Sequence, residues 1–348
     1  MNSQNRFGLR LAFVLAGAPL VAAAQIGPQD TLPDTPKPTN GVQTAQALVD
    51  ARVTDSLVPS PIRRLPRPRQ RFYFENGVTS VYDSNVEHDS TNIGSYGIVV
   101  GATGRYRSRS TKPGIYMEYG VAAHQYTATD RWDRVSQLGR LGFDVPLGDM
   151  FLVGVTGEIY LKGSSEDREI GDQYAVLPRI EMRPMDDVRL RIITGYRQRQ
   201  FDEAPTSNAI NRYITFDSRM RFGEGTLEYA ARFEKNLPKI HRLRFNRQTY
   251  SARYGREVGD NAEVFAGVEY RPVQYPERDV DILDEEGEEI GEEPRMDRRW
   301  KPQLKWVHEW SRNMRTDLEY EYEMRFSNDP DKKYRGHVLT LTTAIPWR

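Results

Sequence analysis

From Gln70 to its end this chain alternates apolar and polar residues with a period of two, and that alternation decides the fold class. Between Asp317 and Phe326, the apolar residues Leu318, Tyr320, Tyr322, Met324 and Phe326 interleave with Asp317, Glu319, Glu321, Glu323 and Arg325. Successive side chains of a strand point to opposite faces, so this spacing separates an apolar face from a charged one. A helix would scatter the same charges around its circumference. Val188 to Arg199 repeats the pattern, with Val188, Leu190, Ile192 and Tyr196 opposed to Arg189, Arg191, Arg197 and Arg199. Leu227, Tyr229, Ala231 and Phe233 oppose Glu228, Arg232 and Glu234, while Trp300, Leu304, Trp306 and Trp310 oppose Lys301, Gln303, Lys305 and Glu309.

Fourteen such segments follow one another, at about 70–82, 95–107, 114–128, 134–145, 149–162, 172–183, 187–200, 210–222, 225–237, 246–258, 261–274, 298–311, 314–326 and 334–347. Every second connection is tight, as at Pro146–Gly148, Pro184–Asp186, Gly223–Gly225, Gly259–Asp260 and Arg312–Asn313; Ser108–Pro113 belongs with them. The others are longer and polar, including Asp83–Gly94, Gly163–Gly171, Phe201–Ala209 and above all Tyr275–Asp297. Short turns at one end and long loops at the other mark an outer-membrane barrel. The expectation is an all-β fold, a transmembrane antiparallel β-barrel of about 14 strands over residues 70–348. An even strand count returns both ends to the periplasmic side. Tyr, Trp and Phe gather near the strand ends of the apolar face, where membrane interfaces hold such rings. A soluble sandwich or propeller is the structural rival. Charges this frequent on one face need a wet lumen rather than a sandwich core.

The first 69 residues read differently. Arg6 and Arg10 precede an apolar stretch from Leu11 to Val21, and Ala22-Ala23-Ala24 offers a small-residue cleavage site before Gln25. Residues 1–24 are therefore expected to be a secretory signal peptide. Residues 25–69 carry eight prolines, which forbid regular pairing, so they read as a Pro-rich periplasmic linker. Arg63, Arg64, Arg67 and Arg69 at its end suit either a solvated tail or contact with lipid phosphates or partner proteins.

Composition removes whole classes of function. The 348 residues hold 49 Lys+Arg and 49 Asp+Glu, a balance that argues against nucleic acid as a partner. Cysteine is absent, so there is no disulfide, thiolate zinc site, cysteine nucleophile or lipidated cysteine. His88, His124, His241, His308 and His337 are scattered without ligand spacing, so no metal, no cofactor and no catalytic role is expected. The long connection carries eleven acids between Glu277 and Asp297. Asp279-x-Asp281 opens like a calcium loop but lacks the later ligands and glycine. A solvated loop is the simplest reading, and capture of divalent cations between lipopolysaccharide phosphates is the other.

The opening strand and loop, Phe74-Glu-Asn-Gly-Val-Thr-Ser-Val-Tyr82-Asp83-Ser84-Asn85-Val86, resembles the start of the bacterial β-barrel porin 2 proteins. Locally, Asp83 and Asn85 also suit an Asx-turn closing a hairpin. The chain is similar, too, to the fourteen-stranded barrel of surface lipoprotein assembly modifiers, although residues 25–69 are too short for the helical-repeat domain of that family. The first resemblance implies an outer-membrane barrel tied to exopolysaccharide. The last segment, Tyr334 to Trp347, is similar to the C-terminal strand read by the barrel-assembly machinery, except that Arg348 follows the aromatic.

Projecting the inward positions yields two charged arcs. The sixth to eighth strands place Arg179, Arg183, Arg189, Arg191, Arg197, Arg199, Arg219 and Arg221 inward, opposed by Glu181 and Asp217. Further round, Glu263, Glu269, Glu309, Asp317, Glu319, Glu321 and Glu323 face Arg271, Lys301, Lys305 and Arg325. Such arcs across a wet channel create a transverse field; alternatively the charges pair with neighbours and knit a structural interior. Inward aromatics are few: Tyr116, Tyr126, Tyr160, Tyr213 and Phe265. The functional expectation is a porin-like channel for hydrophilic solutes in the cell outer membrane, its partners being outer-membrane lipid and lipopolysaccharide, with the polysaccharide cargo implied by resemblance alone. The alternative is a non-conducting anchor, or an assembly or secretion factor for surface components.

Overall fold

The computed structural model describes residues 72–85, 93–108, 114–128, 133–161, 171–201, 207–283, 289–311 and 314–347. The expected signal peptide and linker lie outside the described residues. Fourteen strands follow in chain order: β1 (Phe72–Asp83), β2 (Ser95–Arg107), β3 (Gly114–Tyr126), β4 (Arg134–Leu147), β5 (Phe151–Leu161), β6 (Asp172–Met185), β7 (Val188–Gln200), β8 (Ala209–Phe222), β9 (Gly225–Pro238), β10 (Phe245–Val258), β11 (Ala262–Leu283), β12 (Glu289–Ser311), β13 (Met314–Ser327) and β14 (Tyr334–Trp347). Each pairs with the next, and β1 pairs with β14, so the sheet closes into one barrel. The closing pair is antiparallel and runs from Phe74↔Trp347 to Asp83↔Val338. Closure leaves no unpaired edge, the condition a sheet must meet to sit in lipid.

The distribution of side chains is inverted relative to a soluble protein. Ile98, Val100, Leu141, Ile159, Ile180, Leu304, Leu318, Leu339 and Leu341 are exposed, while Glu75, Glu181, Arg197, Asp297, Lys301, Asp317 and Glu323 are buried. Alternation explains both sets at once, because each strand presents its even or odd residues outward. Aromatic rings collect at the two ends of the outward face. Phe233, Tyr250, Tyr270 and Trp300 run across four neighbouring strands toward the long-loop end, with centroids 6.0, 6.4 and 4.4 Å apart in turn. Phe72 meets Tyr106, and Phe222 meets Tyr254, toward the short-turn end.

Three short turns carry a glycine with positive φ: Gly148 at 66°, Gly223 at 59° and Gly259 at 68°. These are turn positions that L side chains rarely adopt, and they sit where the composition marked tight connections. At the other end, the Asn85 amide donates to Asp83 Oδ1 at 2.9 Å, which is the expected Asx-turn after β1.

One expectation is corrected. The described residues of the acidic stretch Tyr275–Asp297 are strand rather than loop. β11 runs on to Leu283 and β12 begins at Glu289, so the two strands of 22 and 23 residues project as a hairpin beyond their neighbours. Pairing continues through Val280↔Glu293 and Asp281↔Glu292. Outside the bilayer neither face must be apolar, so a strand there loses the alternation by which it would be recognised. A bulge between Tyr275 and Asp279 marks where the projection leaves the wall.

The interior face is fitted by pairing rings with glycines. Tyr116 stands opposite Gly142, Tyr126 opposite Gly97, Tyr213 opposite Gly195 and Phe265 opposite Gly255. A Cβ on Gly97 would lie 2.6 Å from the Tyr126 ring, and one on Gly255 would lie 2.5 Å from Phe265. Each ring therefore lies flat over the backbone of the next strand, filling the space a glycine leaves.

Candidate pore and its mouth

The basic-arc residues sit on the inward-facing parity of β6, β7 and β8. Most meet a carboxylate on the wall beside them. Arg179 pairs with Asp144, and Arg183 donates to Glu181 through Nε at 2.7 Å. Arg191 Nε lies 2.7 Å from Asp217, with Arg189 at 3.9 Å from the same carboxylate. Arg197 reaches Glu158 at 3.7 Å, and Arg219 reaches Glu228 at 3.5 Å. Arg199 is buried between Gln173 and Ala209 of the adjoining strands, and Arg221 stands opposite Thr226 at the short-turn end.

The acidic arc is matched in the same way. Glu269 pairs with Arg271 at 2.6 Å, Glu321 with Lys301 at 2.9 Å and Glu323 with Arg299 at 3.0 Å. Asp317 takes Arg315 at 2.9 Å and Lys305 at 3.4 Å, and Glu319 shares Lys305 at 3.7 Å. Glu309 stands opposite Arg315, and Glu263 opposite Val307. Lateral pairing confines each field to a few ångströms, so the two arcs are rows of alternating sign rather than two uniform walls.

A third charged row was not singled out from the sequence. Arg105, Glu118, Arg140 and Glu158 stand directly opposite one another across β2 to β5. Arg105 lies 3.1 Å from Glu118, Arg140 lies 3.2 Å from Glu118, and Arg140 lies 2.9 Å from Glu158. Ala175 follows on β6, and Arg197 of β7 reaches over it to Glu158. Opposite charges in directly opposed positions favour the register that aligns them. Local composition holds no trace of the row, because it exists only once three registers are known.

Arginines also lie against inward rings. Arg232 is 3.8 Å from the Tyr213 centroid, Arg179 is 5.2 Å from Tyr116, and Arg253 is 5.1 Å from Phe265. Inward aromatics beyond the expected five include Tyr73, Phe245, Tyr275 and Tyr334, so more rings face the bore than the sequence suggested. His124 Nε2 lies 3.2 Å from Ser136 Oγ on the neighbouring strand, a pairing that reading β3 alone could not supply.

At the long-loop end a buried charge cluster anchors the projecting hairpin. Asp297, 3% exposed along its side chain, accepts from Arg295 Nε at 3.1 Å and Nη2 at 2.9 Å. It also accepts from Ser327 Oγ at 2.6 Å and pairs with Arg325. Arg295 continues to Asp329 at 3.7 Å, in the turn before β14. On the other side, Glu277 takes Arg244 at 2.9 Å from the β9–β10 connection. In that turn, burial and the nearby Arg295 guanidinium hold the Lys332 ammonium below the usual lysine range.

A closed antiparallel wall, apolar with aromatic belts outside and charged within, defines a transmembrane β-barrel. No protein-family model and no curated protein matches the chain. Among solved structures it is similar to the loop L8 deletion mutant of OmpT, an outer membrane protein of Vibrio cholerae, at 10% identity over 80% of this chain and 100% of that one, TM-score 0.48. It is also similar to an anion-selective porin from Comamonas acidovorans, at 9% identity over 79% of this chain and 98% of that one, TM-score 0.47. A bacterial polysaccharide outer membrane secretin aligns at 10% identity over 79% of this chain and 98% of that one, TM-score 0.46.

Proposed function

We propose that this barrel is an outer-membrane channel for hydrophilic solutes, without catalytic activity of its own. The observation that carries the reading is the interior: charged and hydroxylated side chains line it, while every substantial strand–strand contact is between neighbours in the ring. Fourteen strands exceed the eight whose interior side chains can fill, so the bore is lined rather than packed. Alternating charge along the wall favours polar, hydrated cargo over apolar cargo. Export of a polysaccharide is the finer form of the proposal. It draws on the Tyr82-to-Val86 resemblance. Biogenesis through the barrel-assembly machinery and a surround of lipopolysaccharide belong to the same reading.

The lateral ion pairs favour one alternative, a non-conducting anchor or assembly factor whose interior is knit for stability. Single-channel recording of the purified barrel in a planar bilayer separates the two. Discrete ohmic steps support the channel; folded, inserted protein without conductance overturns it.

A further inference from the structure

Among the described residues the outward face carries a few cations, Arg298 and Arg335 among them, and at one place two cations are directly opposed. Arg212 of β8 and Lys235 of β9 are on the lipid-facing parity, are exposed, and stand directly opposite each other in the register. Lys235 in turn stands opposite Asn246 of β10. Like charges directly opposed across two strands are destabilising, and no described carboxylate pairs with either cation. Depth explains why such a pair is tolerable. Tyr196, opposite Arg212, and Phe233, two residues from Lys235, belong to the aromatic belt of the long-loop end. That is the level of the lipid headgroups. Beside the pair, Val176, Thr194, Ile214, Phe233, Asn246 and Gln248 line a shallow concavity of about 640 Å³.

We propose that this patch is a binding site for a phosphorylated glycolipid of the outer leaflet. A phosphate bridges Arg212 and Lys235, converting their repulsion into two charge-assisted contacts. An acyl chain lies along the apolar floor, and the Asn246 and Gln248 amides meet the sugar. The amides favour a sugar headgroup over a simple phospholipid. The proposal rests on outer-membrane placement and is independent of whether the bore conducts.

The test is native mass spectrometry of the parent barrel and of the Arg212→Gln/Lys235→Gln variant, both shown to be folded by heat-modifiable migration. The probes are bis-phosphorylated lipid A, dephosphorylated lipid A and phosphatidylglycerol, with inorganic phosphate as competitor. The expected result is retention of bis-phosphorylated lipid A by the parent at least tenfold tighter than by the variant, with millimolar phosphate failing to displace it. Equal retention by parent and variant, displacement by phosphate alone, or equal retention of phosphatidylglycerol overturns the proposal. Should the variant fail to fold, the parent alone decides: it must prefer the phosphorylated over the dephosphorylated lipid A, and indifference overturns the site. Bilayer conductance of the same variant should be unchanged, so loss of lipid and loss of conduction are read separately.

Discussion

The Tyr213 ring covers Gly195 across the β7–β8 pair so closely that a Cβ at position 195 would overlap it. The Arg232 guanidinium then lies 3.8 Å from the centroid of the same ring. Backbone, ring and cation thus stack into the wall of the bore. Gly195→Ala should cost about 1–3 kcal/mol as the ring is forced off its seat. Pairing it with Tyr213→Ala should recover part of that loss, a coupling of about 0.5–3 kcal/mol. Equilibrium unfolding in lipid vesicles measures the cycle; additive losses would mean the ring does not rest on the glycine.

Facing can be tested at two adjacent residues. Leu318 points to lipid between Trp306 and Leu341, and Glu319 points to the lumen near Lys305. Leu318→Arg should cost about 2–4 kcal/mol if it lies near mid-membrane depth. Glu319→Gln should cost much less. Similar losses at both positions would reverse the assignment of faces.

Neutralising Arg189, Arg191, Arg197 and Arg199 to Gln should shift ion selectivity toward cations. The pairing seen here strengthens the sign of that expectation. Asp217 is within 2.7 Å of Arg191 and 3.9 Å of Arg189, so removing the arginines leaves it uncompensated in the bore, while Glu158 loses Arg197 and keeps Arg140. The shift should shrink at 1 M salt, where the Debye length is about 3 Å. Reversal potentials across a bilayer read it, and unchanged selectivity would show that ions do not pass this wall.

Asp297 should be the residue on which the projecting hairpin depends. Its carboxylate compensates Arg295 and Arg325, both nearly buried. Asp297→Ala removes the carboxylate facing Arg325 and leaves Arg295 with the more distant Asp329 alone, a change of about 3–5 kcal/mol when a buried pair is broken. Proteolysis within residues 276–296 should then become faster while β1 to β10 stay protected. An unchanged cleavage rate would place the anchor elsewhere.

The wall was legible because it is periodic: Asp317–Phe326 states its two faces residue by residue, and Gly223 and Gly259 announce their turns. The projection of β11 and β12 was not legible. Glu292, Glu293 and Asp281 look like a solvated loop when no membrane enforces alternation. The Arg105–Glu118–Arg140–Glu158 row and the glycine-seated rings were hidden for a different reason. Each depends on cross-strand register, and register is a relation between segments rather than a property of one. The charged arcs fall in between. Their inward parity follows from alternation, but their neutralisation by wall neighbours needed the three-dimensional arrangement.

The seam between β1 and β14 differs from the other joints in what it requires to form. The inward residues of β14 carry no charge, and a side-chain link across the seam is the hydroxyl pair Thr79–Thr342 at 2.9 Å. Above it, the Ser84 hydroxyl accepts from the His337 amide at 2.7 Å. The ion pairs between β2 and β13 can therefore form within an unclosed sheet, and the last act of assembly is largely a zipper of amides and hydroxyls. A barrel made this way meets most of its electrostatic demands before it is shut, and closure adds the attraction between Glu75 of β1 and Arg315 of β13.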